Sequence, residues 1–180
     1  MKVILISGKA GHGKDTLATL MREYLEINNK KVLIIHFGDP VKWLARDFLG
    51  WDGNKTTVEG RNILQTLGTN IMRTVYPTYW AEIIAKFISA VNRWDYVLIP
   101  DWRFENEFET IYQYNELITT VRIERYNKDG TCYINPNMTM YQLLHVSECQ
   151  LDKFPFEWIV ENRGTTNDLK DSVEVMLEHI

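Results

Sequence analysis

"KVILISGKAGHGKDT", residues 2–16, is the stretch on which the fold turns. Its first six residues are a short, β-branched, unbroken apolar run, the pattern of a strand covered on both faces in a parallel sheet. Gly8 to Thr16 then fit G-x-x-x-x-G-K-[ST] at every fixed position but the last: Asp15 follows Lys14, and the hydroxyl arrives one residue later at Thr16. Beyond it, Leu17, Leu20, Met21, Tyr24 and Leu25 recur at helical spacing and predict an amphipathic helix from about Lys14 to Asn28. Strand, glycine loop and helix in that order bring backbone N–H groups together at the positive end of the helix, where an anion is welcome. Gly8, Gly11 and Gly13 let the backbone turn, and Lys14 is the cation for the β- and γ-phosphates of a nucleotide.

Asp15 needs its own account. A carboxylate about 4 Å from a phosphate costs roughly 1 kcal/mol in water and several times more in a half-buried cleft. Either Asp15 is a Mg²⁺ ligand, directly or through water, or it favours the helix start electrostatically while Thr16 serves the nucleotide. Both accounts stand at this point.

The totals narrow the rest. With 180 residues, 45% hydrophobic and 24% charged, the chain has the make-up of one soluble globular domain with a substantial core. A formal net charge of -4 argues against a general nucleic-acid binder, which usually carries a basic surface. Cys132 and Cys149 form no C-x-x-C pair and have no histidine spaced for zinc, so they read as free thiols in a reducing cytoplasm. The opening apolar run is too short for a signal peptide or a membrane span, and no other run approaches a span. The expectation is a cytoplasmic protein with no membrane partner.

Further strands are predicted at "KKVLIIHF", "DYVLIPD", "LITTVRIER" and "FEWIVEN". Helices are predicted after Asp39, a candidate N-cap followed by Pro40, through Leu64–Val75 up to Pro77, and across Trp80–Val91. Two more are expected at "FENEFETIYQY" and from Leu169 to the end. "GWDGNKTT" and residues 126–148 read as loops, the latter a small lid. Alternating strands and helices mean an α/β domain with a mainly parallel, five-stranded sheet.

A nucleotide loop needs an acid at the end of a neighbouring strand, and Asp101 closes "YVLIPD" at the carboxyl edge where ligands bind in such sheets. It is the candidate metal-side acid, and Arg103 is close enough to serve a phosphate. Lys42, Arg61, Arg73 and Arg125 lie where loops should gather, and Arg61 stands out because it opens "GRNILQTLGTNIM". Trp43, Tyr79 and Trp80 are candidates to stack on a base, with core packing the default for each. His12, at a variable position of the loop, is expected to face solvent and is given no role. Phosphoryl transfer asks for this inventory of cations and carboxylates, because positioning and charge neutralisation carry most of it.

In order, "SGKAGHGKDT", "GRNILQTLGTNI" with "YW", "LIPDWRFENE", "HVSECQLD" and "IVENRGTTNDL" resemble the bacteriophage deoxynucleoside monophosphate kinases, from the first strand to the last helix. The resemblance implies a three-layer α/β/α P-loop NTPase fold spanning residues 1–180 as one domain, with a helical dNMP-binding region at 41–93 and a lid at 126–148. It implies transfer of the ATP γ-phosphoryl group to a dNMP with Mg²⁺, in the host cytoplasm for a phage protein. Gly8, Lys9, Gly11, Gly13, Lys14, Asp15 and Thr16 would hold ATP, joined by Arg125, Asn162 and Gly164 beside the adenine or phosphates. Val41, Lys42, Arg61, Gly68, Trp80, Arg103 and Glu107 would meet the dNMP. Lys14, Arg61, Asp101 and Arg103 would be catalytic, and Asp15 and Asp101 would face the metal. An apolar face on the 60–91 helices offers a surface for a homodimer. The tail also looks like animal phosphomevalonate kinases, which leaves a small-metabolite phosphate kinase as the alternative. From another class, an ATP-binding switch without an acceptor is the third reading.

Overall fold

Among the described residues, five strands pair in parallel in the spatial order β2-β3-β1-β4-β5: β1 (Lys2–Ser7), β2 (Val32–Ile34), β3 (Tyr96–Ile99), β4 (Ile118–Arg125) and β5 (Trp158–Asn162). The computed structural model describes residues 1–54 and 57–180, and within them the side chains of all but Val58, Arg61, Gln65, Thr69, Asn70 and Ile71. The helices are α1 (Lys14–Ile27), α2 (Asp39–Leu49), α3 (Val58–Gln65), α4 (Met72–Val75), α5 (Tyr79–Val91), α6 (Glu105–Tyr114), α7 (Met140–Leu143), α8 (Val146–Cys149) and α9 (Thr166–Glu178), with a π-helical segment at Thr66–Ile71.

The alternation along β1 shows why an unbroken apolar run was needed. Ile4 and Ile6 face a core built with Leu17, Leu20, Met21 and Leu25 of α1 and Val173, Met176 and Leu177 of α9. Val3 and Leu5 face the other way, onto Ala81, Ile84 and Ile88 of α5 and Ile111 of α6. Both faces of the strand are therefore covered, and the molecule is a three-layer α/β/α sandwich with the fold of P-loop NTPases. After β1 the chain first builds β3 and β2 on one side, then β4 and β5 on the other. Connections therefore diverge from the carboxyl end of β1, the position where open parallel sheets bind ligands. Among the described residues, no helix is long and apolar enough to cross a membrane.

Four sequence expectations are adjusted. The second strand is only three residues long; Ile35 still donates to the Leu98 carbonyl (3.1 Å), but Phe37 and Gly38 turn their N–H groups to the Asp101 carboxylate instead. Asp39 is the first residue of α2 rather than its cap. Gly38 is the N-cap, and Asp39 Oδ2 accepts from the His36 N–H (2.8 Å). The helix expected through Leu64–Val75 is interrupted by the π-helical segment, and the expected lid carries α7 and α8 as well as a bridge between Tyr126 and Cys132. Lys55 and Thr56 of the "GWDGNKTT" loop lie outside the described residues.

Candidate active site

Leu17 donates to the Gly13 carbonyl (2.8 Å), so Gly13 is the N-cap of α1 and the N–H groups of Lys14, Asp15 and Thr16 have no intrahelical carbonyl to reach. Those donors and the positive helix end make an anion seat. The loop leading into it is tightly packed. Gly11 has φ +83°, and a Cβ there would stand 3.0 Å from the Tyr133 ring; a Cβ on Gly8 would stand 2.6 Å from the Ile123 carbonyl oxygen. Lys14 folds back over the loop, its Nζ donating to the carbonyls of Gly8 (2.8 Å) and Lys9 (3.1 Å). Burial, reinforced by Arg103, pulls the Lys14 pKa down to about 8 against the opposing pull of Glu148, Asp15 and Asp101. Four groups from three parts of the chain thus act on one ammonium.

His12 corrects the sequence reading. It is buried, not solvent-facing: Nδ1 accepts from the Arg125 N–H (3.2 Å), and Nε2 lies 3.0 Å from the Tyr133 carbonyl. An acceptor at Nδ1 and a carbonyl at Nε2 require the neutral ring with its proton on Nε2. Burial lowers its pKa accordingly. The side chain pins the glycine loop to the end of β4 and to the start of the 126–148 segment.

Asp15 is exposed on the first turn of α1, with Thr16 beside it. Its Oδ1 lies 3.0 Å from Nε2 of His36, whose Nδ1 lies 3.3 Å from Asp39 Oδ2. Asp39 in turn binds Lys42 Nζ (2.7 Å). An imidazole between two carboxylates donates from both nitrogens, and those hydrogen bonds, Asp15 first and Asp39 second, raise the His36 pKa to about 9. The same bond to His36 holds the Asp15 carboxyl below its ordinary range. A cation does stand beside Asp15, and in this structure it is His36.

Asp101 follows β3 as the sequence suggests, yet both its oxygens are engaged, accepting from Phe37 N–H (2.8 Å) and Gly38 N–H (3.0 Å). It fastens the β2–α2 turn to the sheet edge. Glu107 is buried on α6; its Oε2 accepts from Arg103 N–H (2.9 Å) and Phe104 N–H (3.1 Å), while Oε1 is paired with Arg73. The Arg73 guanidinium lies 4.2 Å from the centre of the Phe104 ring. Burial raises the Glu107 pKa, opposed by Arg73.

These residues border a cavity of about 620 Å³. Phe37, Gly38, Val41 and Lys42 form one wall, and Leu64, Gly68, Arg73 and Trp80 another. Asp101, Arg103, Phe104 and Glu107 are its floor, and residues from Asn135 to Glu148 its roof. Trp80 is buried and donates from Nε1 to the Gly68 carbonyl (3.0 Å), while Gly68 passes so near α2 that a Cβ on it would meet Val41 at 3.3 Å. Of the expected acceptor residues, Val41, Lys42, Gly68, Trp80, Arg103 and Glu107 therefore share one cavity; the Arg61 side chain lies outside the described set. Trp43 is exposed on α2 against Phe48, and neither it nor Tyr79 is among the described residues that line the cavity.

Behind the loop, Arg125 Nη1 donates to the Gly11 carbonyl (3.1 Å) and its guanidinium stacks 4.3 Å from the Tyr133 ring centre. Asn162 Nδ2 donates to the His12 carbonyl (3.1 Å), and Gly164 is exposed in the turn before α9. The Arg125 and Asn162 side chains thus both reach the backbone of the loop. Lys9 is directed elsewhere: its Nζ is bound by the Glu148 carbonyl (2.6 Å) and Asp152 Oδ2 (2.6 Å).

Sequence reasoning missed His36 and Glu148 and named Arg73 only as one cation among several. His36 ends an apolar run at the carboxyl edge of the sheet, the same signal that exposed Asp101. Glu148 gave no signal beyond its place in "HVSECQLD", because its partner, the Ala10 N–H, belongs to a backbone brought near only by folding.

Among solved structures, the chain is similar to the shikimate kinase of Aquifex aeolicus (TM-score 0.55, 12% identity, covering 98% of this chain and 96% of that one). It is similar to a gluconokinase from Sinorhizobium meliloti 1021 (TM-score 0.53, 12% identity, 99% and 92%). It is also similar to the Mycobacterium tuberculosis APS kinase in complex with AMPPNP and APS (TM-score 0.52, 11% identity, 98% and 97%). At such identities the likeness is one of fold. No protein-family model and no curated protein matches the sequence.

Proposed function

We propose that the protein is an ATP-dependent phosphotransferase that moves the γ-phosphoryl group to the phosphate of a deoxynucleoside monophosphate, giving a dNDP and ADP. One observation carries this reading: Arg103 lines the cavity and is also close enough to Lys14 to depress its pKa, so a guest in the cavity and a polyphosphate on the loop would meet at one place. The similar solved structures are kinases by their descriptions, which supports the class.

The loop amides from Gly11 to Thr16 would seat the donor's phosphates, with Lys14 leaving the carbonyls of Gly8 and Lys9 to neutralise the transferring group. Arg103 would bridge donor and acceptor phosphates, and Lys42 with Arg73 would hold the acceptor's charge. Phe37, Trp80, Phe104 and Tyr141 give the cavity aromatic walls suited to a planar base, which favours a nucleotide over an aliphatic acceptor. Arg125, Asn162 and Gly164 lie where the adenine end of the donor would emerge, and the 126–148 segment would cover the site and exclude water.

Mg²⁺ fits this chain as a shared ligand. Among the described residues no cluster of three metal-binding side chains exists, but Mg²⁺ in such sites takes one or two carboxylates and draws the rest of its shell from phosphates and water. Asp15 and Asp101 would supply those oxygens, and the ion would neutralise charge on the polyphosphate.

The test is a coupled ADP assay offering dTMP, dGMP, dCMP, dAMP and 5-phosphomevalonate side by side. ADP formation that depends on one or more dNMPs is expected. Turnover only with 5-phosphomevalonate would move the acceptor class, and ADP release indifferent to every acceptor would replace the kinase with a nucleotide-driven switch.

A further inference from the structure

The loop's anion seat already has a carboxylate at its edge. Glu148, on α8 in the roof of the cavity, accepts at Oε2 from the Ala10 N–H (2.9 Å), and its Oε1 is paired with Arg103 Nη1. Its side chain is only 6% exposed. Ala10 belongs to the glycine loop itself, and Arg103 is the guanidinium that joins loop and cavity. A carboxylate oxygen accepting from a loop amide and an arginine at once makes the contacts a phosphate oxygen would make.

We propose that Glu148 is a built-in stand-in for substrate phosphate, which holds the ligand-free site latched and must be displaced when nucleotide enters. The inference rests on the phosphotransferase reading given above.

Charge makes the displacement necessary. Among the described residues, the lysine and arginines that line the cavity each have a carboxylate on them: Lys42 has Asp39, Arg73 has Glu107 and Arg103 has Glu148. A phosphate dianion entering with Glu148 in place would set one anion against another in a half-buried cleft. Of the three carboxylates, Glu107 is locked by two backbone N–H groups, and Asp39 is held by His36 as well as Lys42. Glu148 is the one carried by a segment able to leave. Neither α7 nor α8 contributes a buried residue, and Met140, Tyr141, Leu144 and Val146 are 70%, 82%, 70% and 54% exposed. That segment is fastened at Glu148, by its carboxylate and by the Lys9 bond to its carbonyl, and at Ser147, whose carbonyl accepts from the same Arg103 Nη1 (3.0 Å), while Leu151 just beyond it is fixed in the core. A segment with few buried apolar contacts opens at low cost.

Full-length wild type, Glu148→Gln and Glu148→Asp are titrated calorimetrically with AMPPNP and with inorganic tripolyphosphate, without acceptor. Glu148→Gln keeps the shape but loses the charge-assisted bonds, so both probes should bind it on the order of tenfold more tightly, with Glu148→Asp near wild type. Equal or weaker binding to Glu148→Gln, with wild type binding normally, overturns the latch and leaves the kinase reading standing. Wild type binding neither probe overturns both. Hydrogen exchange in the wild type gives a measurement free of any variant's folding: amides of residues 140–149 should exchange faster once AMPPNP is added, and unchanged or slower exchange there overturns the proposal.

Discussion

Replacing Glu107 with glutamine is the sharpest test of how the cavity floor is built. The carboxylate is buried and serves three donors: the N–H groups of Arg103 and Phe104 at the start of α6, and the Arg73 guanidinium. An amide can satisfy only part of this set. With its oxygen toward the backbone, its NH₂ faces Arg73 and leaves a half-buried guanidinium without a counter-charge. Turned the other way, it strands two backbone donors. Breaking one side of a buried, hydrogen-bonded ion pair costs about 3–5 kcal/mol. In a chain of this size that corresponds to a fall in melting temperature of roughly 6–20 °C. Denaturant unfolding followed by far-UV circular dichroism measures it. The double variant Glu107→Gln/Arg73→Met should recover part of the loss, because the stranded charge is gone while the Phe104 stacking surface remains. A Glu107→Gln loss below about 1 kcal/mol would refute the reasoning, since that is the range of an exposed pair.

Gly11→Ala should lower stability by roughly 1–2 kcal/mol for the left-handed backbone, with the Tyr133 ring displaced and nucleotide binding weakened; an unchanged melting temperature would count against the packing described. His12 has a pKa depressed by burial, so its contribution to stability is present above its ordinary value near 6.5 and is lost as pH falls through the lower folded value. His12→Asn, which keeps an acceptor for the Arg125 N–H, should show a shallower acid slope than wild type in stability measured from pH 7 to 5; identical slopes would refute a neutral buried ring. Lys14 in the ligand-free protein releases its proton near pH 8, so AMPPNP affinity should decline above that pH. Because His36 titrates near 9, the measurement is repeated in His36→Gln, and a decline that persists belongs to Lys14. A flat affinity from pH 7 to 9.5 in both proteins would remove Lys14 from the phosphate site.

What the sequence revealed and what it hid divide along a physical line. β1, the glycine loop and α1 were legible because their signals are local: an unbroken apolar run, glycines at fixed spacing and a helical stripe that the Leu17, Met21 and Leu25 core bears out. Asp101 was legible as a residue at a strand's carboxyl end, though its two backbone partners were not. His12 was misjudged because a variable position in a loop motif carries no local sign of the β4 amide that receives it. The clasp of His36 between Asp15 and Asp39, and of Glu148 between Ala10 and Arg103, joins residues far apart in the chain. No periodicity reports such a meeting. The break at Thr66–Ile71 escaped for another reason: its apolar residues keep a roughly helical rhythm while the backbone carries a wider turn.

That wider turn bears on how this region tolerates changes in length. A π-turn holds one residue more than the α-turn it replaces, and each residue added to a helix rotates the downstream chain by about 100°. Removing one residue between Thr66 and Ile71 would let the segment relax to an ordinary helix while α3 and α4 keep their present facing. Substituting residues without shortening the chain leaves the surplus in place. Single deletions scanned along 58–75 should therefore be accepted in that one window and rejected on either side, where they would swing Leu64 or Arg73 away from the cavity they line.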